Sequence, residues 1–113
     1  MLSSEEKIMS RKVIEFVSQS YMISVSDILT GRRWYPDVEA RYVCFFLMQK
    51  YVFQNDEKNI RIKKIANYFH LRNRGVVKYA LRKINFEWLK FDRRFQKQFN
   101  IINQNFTERN INN

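Results

Sequence analysis

Glycine and proline are scarce in this chain, with two Gly and one Pro in 113 residues. Few positions can turn sharply or take a positive φ, so a mostly helical chain is expected. A single cysteine, Cys44, excludes an internal disulfide. It sits inside an apolar run and reads as a small buried hydrophobe rather than a reactive thiol. The one histidine, His70, has no Cys or His at ligand spacing, which speaks against a metal site. Its expected roles are to cap a helix or to face a phosphate. The longest apolar run, Tyr42 to Met48, is far short of the ~20 residues that span a bilayer. The first six residues, Met1-Leu2-Ser3-Ser4-Glu5-Glu6, are too polar and acidic for a signal peptide, so a cytoplasmic protein without membrane contact is expected. No Gly-rich phosphate loop, His-Glu metal motif or nucleophile–base pair is present. The expectation is therefore no enzyme, no cofactor and no small-molecule substrate.

Acidic residues are also missing from one particular stretch. Between Lys58 and Lys97 thirteen Lys and Arg meet only Glu87 and Asp92, a formal charge of +11. Residues 1–57 sum to −1 and residues 98–113 to zero, so the chain's net +10 belongs to this segment. A concentrated positive field attracts polyanions, and nucleic-acid phosphates are the commonest in a cell. What remains of the composition, 45% apolar and 16% aromatic, is enough for one folded domain with a modest core.

Periodicity supplies the elements. Ser3-Ser4-Glu5-Glu6 has the form of a capping box, and Ile8, Met9, Val13, Phe16 and Val17 follow at helical spacing, predicting a helix over about 4–20. Ser24 is placed to cap a short helix that Gly31 ends. Arg32-Arg33-Trp34-Tyr35 makes a basic, aromatic connector, and Pro36 suits the start of a central helix running to about Gln54. After the polar loop 54–59, Ile62, Ile65, Ala66 and Phe69 share one face. A turn at 70–73 with Asn73 as N-cap then precedes a long helix that buries Val77, Leu81, Ile84, Trp88, Phe91 and Phe95. The Asn-rich tail from Asn100 lacks obvious periodicity and is expected to fray.

Residues 62–85 thus have the grammar of a helix-turn-helix, with small Ala66 allowing close approach of the two helices. In such a motif the second helix enters the major groove by its N-terminal end. Lys63, Lys64, Arg72, Lys78 and Arg82 are the candidate phosphate contacts. Asn73 and Arg74 are the candidate base readers, because Asn pairs with adenine and Arg with guanine in a bidentate manner. Arg32 and Arg33 are placed to reach an adjacent groove. The same charge also suits RNA. A third reading makes the aromatic stretch Phe86 to Phe99 a surface for a protein partner.

Three stretches resemble the C-terminal DNA-binding domain of the bacterial replication initiator DnaA, a helical domain related to the Trp repressor. They are Val25-Ser26-Asp27-Ile28-Leu29-Thr30-Gly31-Arg32-Arg33, then Ala40-Arg41-Tyr42-Val43, then Ile62 to Phe69 with Arg72-Asn73 and Val77 to Ile84. The resemblance covers about residues 11–90. It implies an all-α, helix-turn-helix domain, placed over residues 1–99, and the Asn-rich residues 100–113 are expected to be a flexible tail beyond it. Its partner would be double-stranded DNA, in replication initiation or transcription regulation, without the family's ATPase domain. It also implies phosphate or minor-groove roles for Arg32, Arg33, Arg41 and Arg72. At the head of the recognition helix the family has Asp-His-Thr-Thr-Val, whereas this chain has Asn73-Arg74-Gly75-Val76-Val77. Only the last Val is shared, so the family's base-reading set does not transfer.

Overall fold

The computed structural model describes residues 2–30 and 35–111. They form an all-α fold, with no strand among the described residues. Helix α1 spans Ser4–Tyr21 and opens with the expected capping box. Ser3 Oγ accepts from the Glu6 amide at 3.1 Å and Glu6 Oε1 accepts from the Ser3 amide at 2.9 Å. Helix α2, Val25–Leu29, is capped by Ser24, whose hydroxyl accepts from Asp27 N–H at 3.0 Å. Gly31, Arg32, Arg33 and Trp34, the expected helix stop and basic loop, lie outside the described residues.

Helix α3, Tyr35–Tyr51, is the central rod, and α1, α2, α4 and α5 pack around it. Ten of its residues are buried, from Asp37 to Met48, so it faces protein on nearly every side. Cys44 lies fully inside it, and burial pushes its thiol up and out of the reactive range. The helix stops at Tyr51, three residues before the expected Gln54, because Phe53 turns inward as a buried plug. The ring of Phe45 meets Phe69 edge-on at 4.9 Å, and Tyr42 stacks on Trp88 at 5.5 Å.

Helix α4 is Lys58–Tyr68 and α5 is Gly75–Lys83. All seven apolar positions predicted for this pair are buried: Ile62, Ile65, Ala66, Phe69, Val77, Leu81 and Ile84. Helix α4 ends in a Schellman turn, with Leu71 N–H on Ala66 O at 2.9 Å and His70 N–H on Asn67 O at 3.1 Å. His70 sits there at φ 55, a left-handed position that glycine usually fills. Met22 does the same at the end of α1.

The C-terminal third departs from expectation. The helix that begins with α5 does not continue through Phe99. A π-helical turn, Ile84–Trp88, follows α5, then comes the single turn α6, Leu89–Phe91, and a break at Asp92. Asp92 is extended (φ −105, ψ 99), and its Oδ1 accepts from Phe95 N–H at 2.9 Å to start α7, Arg93–Asn110. The wider turn and the restart rotate the side-chain register. Phe91, expected in the core, is 80% exposed, while Phe95 is fully buried. The tail from Asn100 is likewise helical to Asn110. Phe95, Phe99, Ile102 and Phe106 form one buried stripe, and Tyr51 is tied to Asn103 and Thr107 at 2.7 and 3.0 Å. The radius of gyration, 13.1 Å, is near the ~13 Å typical of a compact domain of about 100 residues, as expected when α7 folds back onto the body. Arg94 on α7 reaches the Glu39 carboxylate, only 1% exposed in α3, which also accepts from Tyr21 OH at 2.6 Å.

Candidate nucleic-acid interface

The segment between α4 and α5 holds its shape through backbone and short side-chain bonds. After the Schellman turn, Arg72, Asn73 and Arg74 run along the surface, all exposed. Asn73 Oδ1 accepts from Gly75 N–H at 2.7 Å, so this side chain satisfies a free amide at the start of α5. Helix α5 itself begins at Gly75, two residues past the expected cap. Gly75 is explained by this arrangement. A Cβ on it would stand 2.9 Å from Asn73 Oδ1 and push the capping oxygen away. One lone pair of that oxygen is therefore already used, while the Asn73 side-chain NH2 keeps its two donors.

Arg72, Asn73, Arg74, Gly75 and Lys78 line one concavity of about 670 Å³, with Asn59 and Ile62 from α4. Among the described residues no carboxylate lines it. Lys78, Tyr79 and Arg82 continue the exposed face along α5, and Val76 is exposed at its first turn. Lys63 is exposed on α4. The other predicted cations are placed differently. Lys64 Nζ lies between Asp56 Oδ2 at 2.9 Å and Glu6 Oε2 at 3.0 Å. Those two hydrogen bonds raise its pKa and point the ammonium at the protein. Arg41, at 7% exposure, donates from Nε to Ile28 O at 2.8 Å and so pins α2 to α3; burial lowers its pKa. Neither cation is turned to solvent for a phosphate. Lys83 is bonded to Glu87 at 3.0 Å.

Two cations that sequence patterning does not single out join the face. Lys58 and Arg61, at the start of α4, line a second concavity with Lys78 and Arg82. They are 17–24 residues apart in sequence, and only the packing of α4 on α5 brings them together. Among the described residues no cluster of His, Cys, Asp or Glu is arranged to hold a metal ion, and no helix is long and apolar enough to cross a membrane. No protein-family model matches the chain, and comparison with curated proteins and with solved structures likewise found no match.

Proposed function

We propose that this chain binds double-stranded DNA through α4 and α5, used as a helix-turn-helix of the kind found in the DnaA C-terminal domain and the Trp repressor. The observation that carries the reading is the carboxylate-free basic concavity at the head of α5, where Arg72, Arg74 and Lys78 converge on the turn. A merely solvated helix face mixes charges of both signs. In this reading Lys63, Arg72, Lys78 and Arg82 hold phosphates, and Arg74 meets base edges in the major groove. Asn73 serves first to hold the Gly75 amide, which shapes the turn leading into α5. Val76 offers a thymine methyl an apolar contact, and Gly75 brings no side chain to the groove. The role is regulation of transcription or of replication initiation by occupying a site, without ATP hydrolysis, and at a sequence other than the DnaA family's.

A titration of labelled duplex at two salt concentrations tests this. Binding should weaken steeply with salt, and Arg74→Ala should cost ~1–3 kcal/mol on a site selected from random duplexes while relaxing its selectivity. Absence of duplex binding at ~50 mM salt, or binding indifferent to salt, would overturn the reading.

A further inference from the structure

The second concavity, about 470 Å³, lies between the start of α4 and the end of α5, and its chemistry differs from that of the first. Lys58, Arg61, Lys78 and Arg82 bring positive charge, and among the described residues no carboxylate lines the cleft. Gln49, Asn59 and Asn85 bring side-chain amides, each a donor and an acceptor. Ile62, Leu81 and Phe86 supply the apolar surface. Phe86 stands on the π-helical turn and is 60% exposed, with Lys90 Nζ 5.5 Å from its ring centroid. Arg61 Nε is buried in the same wall and meets no acceptor among the described residues.

The fold does not account for Phe86. Phe95 and Phe99 of the same aromatic stretch are buried while Phe86 and Phe91 are exposed, and of the two exposed rings Phe86 is the one that lines this cation-bearing concavity. An exposed aromatic face flanked by cations and amides is the combination that accepts a nucleotide. The base stacks on the ring, amides meet its edge, and cations hold the phosphate. The volume falls within the ~300–1,000 Å³ usual for small-ligand sites.

We infer that this cleft holds a nucleoside 5′-phosphate unit, its base stacked on Phe86 and its phosphate among Arg61, Lys78 and Arg82. The unit is either a free nucleotide or an unpaired nucleotide of a strand. The site shares Lys78 and Arg82 with the duplex face but depends on a ring that duplex binding does not use.

The test titrates the full chain with ATP, with a labelled mixed-sequence single-stranded 12-mer, and with a 12-base-pair duplex. The wild-type chain should bind ATP or the single strand. Phe86→Ala should weaken that binding about tenfold or more, as loss of one base stack does, and leave duplex binding within about twofold. Phe86→Trp should keep or strengthen the binding. The ring is exposed, so these variants should fold, which circular dichroism checks. Displacement of the single strand by ATP identifies a free nucleotide as sufficient; single-strand binding that ATP does not displace assigns the site to a strand. The inference is overturned if neither probe binds, or if Phe86→Ala or Phe86→Leu binds like wild type. It is also overturned if duplex affinity falls in step. Single-strand binding that depends on Phe86 in a chain with no duplex affinity would sink the duplex reading and leave this one standing.

Discussion

Substituting Lys63 and Lys64 by Ala, one at a time, should give different results in a DNA-binding assay. Both changes remove one positive charge from the same turn of α4, so their effects on the long-range field are nearly equal. They differ in where the ammonium points. Lys63 is exposed, whereas Lys64 is held within 3.0 Å of both Asp56 and Glu6. A lost phosphate contact makes the log–log salt slope shallower by ~0.9, so from about 50 to 200 mM salt the wild-type decline in affinity should exceed that of Lys63→Ala by about 3.5-fold. Lys64→Ala should leave the slope unchanged. Its effect should instead be on stability, because the lysine joins the start of α1 to the loop before α4. Fluorescence anisotropy with one labelled duplex across a salt series measures both, with circular dichroism as the folding control. If Lys64→Ala flattens the slope as much as Lys63→Ala, the Glu6–Lys64–Asp56 cluster opens on DNA and the two lysines do not divide their roles in this way.

Phe106→Ala should cost ~3–5 kcal/mol in urea unfolding, because Phe106 is fully buried against Phe16 and Tyr51; a loss below ~1 kcal/mol would mean α7 is not part of the cooperative core. Met22→Gly and His70→Gly should each stabilise by roughly 0.5–1 kcal/mol, since both residues sit at φ 55 in helix-ending turns. A fall in Tm for either would contradict that backbone assignment. The Ser3 amide first, and Lys64 after it, hold the Glu6 carboxyl below its ordinary value of 4.5. A carboxyl with a depressed folded pKa contributes stability above its unfolded pKa and loses it as pH falls through the folded one. Glu6→Gln should therefore flatten stability against pH below about 4.5, and an unchanged acid limb in a series of urea melts would refute the pairing.

The start and stop signals that sequence reading recovers are those that act over three or four residues. The Ser3–Glu6 box, the Ser24 cap and the apolar stripe Ile62/Ile65/Phe69 all belong to that class. The break at Asp92 is just as local, an Asp capping the amide three residues on, but the continuing run of aromatics masks it. In the same way the Asn-rich composition after Asn100 hides the spacing of Phe99, Ile102 and Phe106, which is helical when counted with Phe95. The candidate site was legible in its centre, at Arg72 to Lys78, because a turn between two amphipathic segments exposes whatever it carries. Its edges were not, since Lys58 and Arg61 gain meaning only once they face Arg82.

Sequence alone determined the helical class, the position of most helix starts, the buried face of α4 and α5, and the confinement of the charge to one segment. Those properties follow from backbone propensities, from bonds within one helical turn and from composition, none of which needs a distant partner. Tertiary structure decided which cations remain available. Lys64 is paired with Glu6 from 58 residues away, Arg41 is spent on a carbonyl of α2, and Arg94 is drawn to Glu39 in the core. A charge in sequence is only a charge; whether it meets solvent or a carboxylate is settled by packing, which sets both its partners and the water it keeps.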